Sequence, residues 1–355
     1  MKTHWSFGIV GTGMIAEVHA AALAELDNAR LVGFCGTRPN RAEGPARKHH
    51  CRAFRDLDEL LSDASIDIVT IATPSGAHQE PTVAAAKAGK HVLCEKPLEI
   101  TVERLDTMIE AHARSGTRLG GIFQNRFNDA MVPLRQAIAR KRFGVITYAG
   151  VYVPWWRGDG YYRDSWHGTW KLDGGGALMN QSIHMVDMLC DLMGPVESVQ
   201  AFANHIGHPR IETEDTAAAV VQFPGGAVGM IYGTTASYPG QFKRFEMTGT
   251  RGTVVYLEDS FTVWQFDEEG PEDDQIRQRF GQVQGPGGVS DPKAISHENH
   301  ARNFAAFISA IEQDRGFEIS GQEARKSVEL IQAIYQSAKE QRIVHLNRER
   351  EASTK

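Results

Sequence analysis

The chain has 355 residues, 41% of them hydrophobic, and carries a formal charge of -6 from 38 Lys+Arg against 44 Asp+Glu. That length suits about two domains, and an acidic balance with no basic cluster argues against nucleic acid and anionic membranes as partners. The four cysteines, Cys35, Cys51, Cys94 and Cys190, form no CxxC pair and no zinc spacing, so buried thiols in a reducing compartment are expected. The opening MKTHWSFGIVG enters a strand at once, and no apolar run approaches the roughly 18 residues of a membrane span. A soluble, cytoplasmic protein without a signal peptide is the expectation.

From Phe7 to Gln124 short apolar runs (FGIVG, RLVGFCG, DIVTIAT, KHVLCEK, TRLGGIFQ) alternate with helix-like segments such as AEVHAAALAEL, DLDELLSD, QEPTVAAAKAG and VERLDTMIEAHARSG. Such alternation predicts a doubly wound parallel sheet over 1–124. Past Gln124 a helix candidate, NDAMVPLRQAIARK, leads to ITYAGVYVPWW, an aromatic loop and a glycine-led helix. The runs VESVQAFANH, TAAAVVQF-PGG-AVGMIYGTTAS, QFKRFEMTG, GTVVYLED and FTVWQF then read as strands of an antiparallel sheet. Two amphipathic helices close the region 125–345, HARNFAAFISAIEQD and GQEARKSVELIQAIYQSAKE, and they are free to pack back on the first domain. GQVQGPGGVSDP reads as a mobile loop, and residues 346–355, including REREASTK, as a frayed tail.

The stretch FGIVGTGMIAEVHAAAL sets Gly11, Gly13 and Ala16 as GxGxxA between a strand and a helix. The first glycine permits the tight turn, the second lets a pyrophosphate approach the backbone, and the alanine allows close helix packing. Helix N–H groups at Met14 and Ile15 then face the phosphates. A lone glycine pattern is weak, but this one heads a doubly wound alternation, so a dinucleotide site is expected. About 20 residues on, an NAD-type site offers a carboxylate to the ribose. Here stand Gly36, Thr37 and Arg38, with Arg41 following, which favours NADP(H), with NAD(H) as the alternative. The competing reading has Thr37 capping the next helix while the arginines face water.

KHVLCEKPLEI places Glu95 and Lys96 at the carboxyl end of a central strand, where open parallel sheets bind ligands, and Pro97 suits a fixed, cis turn. DGGGALMNQSIHMVD, from Asp173 to Asp187, sets Asn180 and His184 one helical turn apart, with Asp187 near the same face. Together GTGMIA, CEKP and this glycine-led run resemble the Gfo/Idh/MocA family of sugar and cyclitol oxidoreductases, marked by the nucleotide fingerprint, EKP and GGG-x3-D-x3-H-x2-D. TPSGAHQEPTVAAAKAGKHVLCEKP also looks like the family's approach to EKP, and the resemblance spans Phe7 to Leu346.

The resemblance implies a Rossmann domain followed by an α+β domain with an open, mostly antiparallel sheet used for oligomer formation, as a homodimer or homotetramer. It also implies hydride transfer between a nicotinamide cofactor and a secondary alcohol of a sugar, sugar derivative or cyclitol. His184 would be the acid/base and Lys96 would polarise the reacting oxygen. Asn180 and Gln181 would hold the sugar, and Asp187 would orient the helix or His184. Cofactor contacts fall on Thr73, Pro74, His78, Glu95, Lys96 and Trp166. Arg126 matches a position near the substrate, with an ion pair between domains as the competing reading.

Two departures stand out. The family's aspartate is Asn180, which takes no proton, so direct hydrogen bonding to substrate is expected in place of a proton relay. A tryptophan–arginine pair is here Trp166–His167. The loop WWRGDGYYRDSWHGTW could stack on a sugar or pack a domain edge. HENH (His297–His300) has no carboxylate pattern beside it, so no metal site is expected. The context WHGTWKLDGGGALMNQSIH is closest to members acting on nucleotide-linked or otherwise substituted pyranosides. Two other activities compete: glycoside cleavage with an internally recycled cofactor, and a non-catalytic nucleotide sensor. The Lys96 and His184 pair argues against the sensor.

Overall fold

A computed structural model describes residues 4–38, 40–163, 165–282 and 297–346. The greater part of the glycine-rich loop (283–292) and the tail 348–355 lie outside them. The chain divides into two compact units. The first runs to Phe127 and takes in a later stretch ending at Arg325, and the second begins at Asn128 and resumes at Lys326.

In the first unit the elements follow as β1 (Trp5–Val10), α1 (Met14–Ala24), β2 (Ala29–Cys35), α2 (Glu43–Lys48), β3 (Arg52–Phe54) and α3 (Leu57–Ser62). They continue with β4 (Ile68–Ile71), α4 (Gln79–Lys87), β5 (His91–Cys94), α5 (Val102–Ser115) and β6 (Leu119–Gly121). The six strands pair in parallel in the order β3-β2-β1-β4-β5-β6. Helices cover both faces of such a sheet, so its central strands are apolar throughout; every residue of β4 is buried. Strand order reverses between β1 and β4, which opens the crevice where this fold binds ligands.

The second unit opens with α6 (Met131–Ala139) and β7 (Ile146–Pro154), followed by the short α7 (Asp159–Tyr162). A π-helical turn, Ala177–Ser182, runs directly into α8 (Ile183–Met193). Then come β8 (Ser198–Asn204), β9 (Thr216–Gln222), β10 (Val228–Thr234), β11 (Arg244–Gly249), β12 (Gly252–Leu257), β13 (Ser260–Phe266) and α9 (Pro271–Phe280). The last elements in chain order are α10 (Glu298–Glu312), which itself belongs to the first unit and packs there on α1, α11 (Gly321–Glu340) and β14 (Val344–His345). Eight strands form one sheet, β13-β12-β11-β7-β10-β9-β8-β14.

The sheet is mostly antiparallel, as expected, with one exception: β7 and β10 run parallel, joined by the long excursion through α7, α8, β8 and β9. The alternating pattern could not show this, because period two is the same in either direction. Its inner face buries Ala149, Val151, Val221, Ile231, Phe245 and Met247, and α8 and the π-turn pack against β7. The other face exposes Phe202 at 71%, Val220 at 55% and Val228 at 47%. α9 was not expected from apolar periodicity. Its start signals are local: Pro271 in the first turn, followed by Glu272, Asp273 and Asp274.

Candidate active site

At the head of α1 the two glycines have different reasons to be there. Gly11 adopts φ +130, and a Cβ on it would stand 2.3 Å from the Ala72 carbonyl oxygen, so the turn tolerates no side chain. Gly13 is the N-cap of α1 with no side-chain cap, and a Cβ there would meet nothing within 4 Å. The first-turn amides of Met14 and Ile15, which a helix leaves without internal partners, therefore open on free space suited to a pyrophosphate. Ala16 is fully buried, as close packing of α1 requires. After β2, Thr37 and Arg38 are exposed. The capping alternative for Thr37 does not hold, because α2 starts at Glu43 with Ala42 as its N-cap.

The Lys96 turn follows β5, and the Lys96–Pro97 peptide is cis. His78 ties this turn to the neighbouring loop. Its Nδ1 lies 2.9 Å from the Pro97 carbonyl and its Nε2 2.9 Å from that of Thr73. The Thr73 hydroxyl closes its own turn by donating to the Ala77 carbonyl at 2.9 Å, with Pro74 capping the short helix between. The side chains of His78 and Glu95, which the resemblance assigns to the cofactor, are both also engaged inside the protein. Glu95 Oε2 accepts the Lys96 amide at 3.0 Å and Oε1 lies 3.0 Å from His19 Nε2. His300 Nε2 stands 3.6 Å from the same oxygen.

HENH does meet a carboxylate, one distant in sequence. His19, Glu95 and His300 are buried, with donor atoms within 4.8 Å of one another, a set chemically able to hold a cation. Burial alone would raise the Glu95 carboxyl, but the hydrogen bonds from His19 and His300 outweigh it and hold the group well below the usual range. Arg126, in a short helical turn, is buried and reaches the Glu318 carbonyl at 3.4 Å within the same unit.

In the second unit the glycine run is explained by its neighbours. Gly174 adopts φ +72. A Cβ on Gly175 would stand 2.1 Å from the Tyr335 hydroxyl, and one on Gly176 would stand 2.1 Å from the Glu214 carbonyl oxygen. The backbone is bare because Tyr335 and the segment just before β9, at Thr213 and Glu214, press against it. Glu214 accepts the Gly176 and Leu178 amides at 2.9 and 2.8 Å, which satisfies donors at the entry of the π-turn. The wider turn also corrects the simple helical reading: Asn180 and Gln181 lie on the π-turn, while His184 and Asp187 lie on α8. His184 is half-buried and Asp187 is buried.

Asn180 and Gln181 belong to a network that sequence reasoning left unassigned. The Asn180 amide donates to Asp173 Oδ1, and its own Oδ1 accepts from Gln181 Nε2 at 3.1 Å. Gln181 Nε2 also donates to the Tyr161 hydroxyl at 2.8 Å, and Gln181 Oε1 accepts from Arg157 Nε at 3.1 Å. Both amide hydrogens of Gln181 are thereby used, which makes it a brace for Tyr161 and Arg157. The Tyr161 ring stacks on His167 at 4.3 Å, and Trp166 packs against the same imidazole at 4.0 Å. Asp173 opens the glycine stretch, and it alone among these added residues had a signal in that motif.

Comparison with known proteins settles the family. The profile of the oxidoreductase family with an NAD-binding Rossmann fold, GFO_IDH_MocA, matches residues 5–122, and the GFO/IDH/MocA C-terminal domain matches residues 131–255. The chain belongs to the Gfo/Idh/MocA family. It is a nicotinamide-dependent oxidoreductase acting on CH-OH groups. Myo-inositol 2-dehydrogenase of Thermotoga maritima is 30% identical over 70% of this chain and 73% of its own. Inositol 2-dehydrogenase of Rhizobium meliloti is 27% identical over 96% and 98%. The WlbA dehydrogenase of Bordetella pertussis, crystallised with NADH and UDP-GlcNAcA, superposes with a TM-score of 0.89. It is 34% identical, covering 97% of this chain and 98% of that one. Among the described residues no helix is long and apolar enough to cross a membrane.

Proposed function

We propose that the protein oxidises a secondary hydroxyl of a pyranose linked to a nucleoside diphosphate, or runs the reverse reduction. The observation that carries this reading is the full-length likeness to the Bordetella dehydrogenase crystallised with NADH and UDP-GlcNAcA. When bound, the dinucleotide supplies hydride acceptance, held by the open N-terminus of α1 beyond Gly13. Oxidation of a carbinol also removes a proton from oxygen, and a base within hydrogen-bond reach must take it. His184 is assigned that proton. Lys96 is assigned to stabilise the negative charge that builds on the same oxygen. Asn180, held by Asp173, is a substrate hydrogen-bonding group, and the Tyr161, Trp166 and His167 rings suit the apolar face of a sugar.

The choice between NADP(H) and NAD(H) turns on Gly36, Thr37 and Arg38, which lack a carboxylate. They favour NADP(H), whereas the Bordetella relative was crystallised with NADH. Assembly as a homodimer or homotetramer is supported by the apolar outer face of the sheet at Phe202, Val220 and Val228.

The test is a screen of UDP-linked sugars, UDP-GlcNAcA among them, against free sugars and myo-inositol, followed by reduced-nicotinamide absorbance and product analysis. Turnover confined to UDP-linked sugars is expected. Activity on free sugars or cyclitols alone would overturn the nucleotide-linked assignment. Release of a leaving group without net cofactor conversion would replace it with redox-assisted cleavage.

A further inference from the structure

In the first unit the buried Glu95 carboxylate is gripped from three directions. Glu95 is 7% exposed, His19 is fully buried and His300 is 1% exposed, and the three come from the end of β5, from α1 and from α10. A carboxylate only accepts hydrogen bonds. Oε2 takes the Lys96 amide, and Oε1 faces His19 Nε2 at 3.0 Å and His300 Nε2 at 3.6 Å. The His19 proton is therefore assigned to Nε2, and its Nδ1 accepts from the Thr70 hydroxyl at 3.0 Å. Burial lowers the His19 pKa and keeps the ring neutral. The chain of bonds runs from Thr70 on β4 through His19 to Glu95 and ends at the backbone of the residue that carries the reactive ammonium.

We propose that His19 and His300 are positioning residues for Lys96, gripping the Glu95 carboxylate so that it fixes the Lys96 backbone at the end of β5. The inference rests on the assignment of Lys96 to the reacting oxygen. On the other side of the turn, His78 holds the Pro97 carbonyl, so the peptide segment around Lys96 is clamped from both ends. A side chain built on a fixed Cα has its reach set by rotamer alone, which is what placing an ammonium on a reacting oxygen requires.

The groups that face Glu95 are His19 from α1, His300 from α10, and Lys96 and Cys94 on its own segment. The Cys94 thiol is pushed well up by burial and by Glu95 itself, and it stays neutral. Loss of either imidazole leaves the buried carboxylate short of a donor, so Glu95 takes up a proton at a higher pH and loosens its hold.

The test compares His19→Leu and His300→Leu with His19→Gln and His300→Gln, which keep an N–H donor, and with Thr70→Val, which removes the outer hydroxyl. The first readout is amide hydrogen exchange at Lys96, which needs no substrate. The leucine variants should speed it about tenfold or more, and the glutamine variants should restore protection. The second is the pH profile of kcat and KM with UDP-GlcNAcA. The leucine variants should lower kcat about tenfold with KM little changed, and move the acid limb upward. Thr70→Val should shift the limb the same way and by less, so the test survives if the leucine variants fail to fold.

Unchanged exchange and an unchanged acid limb would overturn the proposal. So would one equivalent of divalent metal bound to the wild type and lost from the variants, because the imidazoles would then be ligands. Lys96→Met separates the two readings. If it retains full turnover, the Lys96 assignment fails whatever the exchange data show. If it loses turnover while the histidine variants match wild type, only the positioning inference fails.

Discussion

The Tyr335 hydroxyl donates to Glu214 Oε1 at 2.8 Å, and the same carboxylate accepts the Gly176 and Leu178 amides. The segment leading into β9 and a distant helix thus meet at the entry of the turn that carries Asn180 and Gln181. Burial pushes the Glu214 carboxyl up from 4.5 to about 7, against the lowering effect of these hydrogen bonds. A raised acid binds more protons folded than unfolded between those two values, so the stability it contributes is complete below about 4.5 and is lost as the pH climbs through about 7. The whole window is worth about 3 kcal/mol. Thermal unfolding of wild type and Glu214→Gln from about pH 5 to about pH 8 should show the pH slope reduced in the variant.

The glycines are expected to separate folding from binding. Gly176→Ala drives a Cβ onto the Glu214 carbonyl and should cost about 1–3 kcal/mol of stability. Gly13→Ala meets no protein atom within 4 Å and should unfold like wild type. It should weaken dinucleotide binding about tenfold, equivalent to about 1.4 kcal/mol. Calorimetry of unfolding and of binding measures both.

Removing either reacting group should leave the dinucleotide site intact. Lys96→Met and His184→Ala are each expected to cut turnover about a hundredfold or more, with dinucleotide Kd nearly unchanged. Asn180→Ala should mainly raise KM, since its amide carries no titratable proton. Near wild-type turnover in His184→Ala would move the proton to Lys96. Steady-state kinetics beside fluorescence titration decides it.

Coenzyme choice is testable by titrating NADPH and NADH into the purified protein. Tighter binding of NADPH is expected from Thr37 and Arg38. Arg38→Asp should shift the preference towards NADH by about tenfold. A wild-type preference for NADH would refute the argument.

Light scattering is expected to report a dimer or tetramer. Phe202→Glu combined with Val220→Glu places two carboxylates on the exposed face of the eight-stranded sheet and should yield monomers that remain folded. A monomeric wild type at working concentration would refute the assignment of that face.

Much of the first unit could be read from the sequence, because a parallel sheet covered on both faces leaves short apolar runs between helices. Gly11, Gly13 and Lys96 lie where such a sheet binds its ligands. What could not be read is convergence across the chain. His19 and Glu95 are 76 residues apart, and nothing local tells a histidine that grips a carboxylate from one packed in a core. The π-turn was hidden for another reason. Its extra residue per turn leaves composition unchanged and shows only in backbone geometry. Glu214 and Tyr335 each look ordinary, one just before a strand and the other within a helix, and only their contact gives the glycine run its purpose.

Asn180 donates to Asp173, and this pairing makes the charge at one position depend on the other. Asparagine supplies a donor where a family member with aspartate would supply a second acceptor. Converting Asn180 to aspartate alone would set two carboxylates side by side, and one of them would have to hold a proton at neutral pH. An Asn180→Asp change therefore calls for a second change at position 173, or for a new cation beside it. Neither residue of this pair can change its charge without the other.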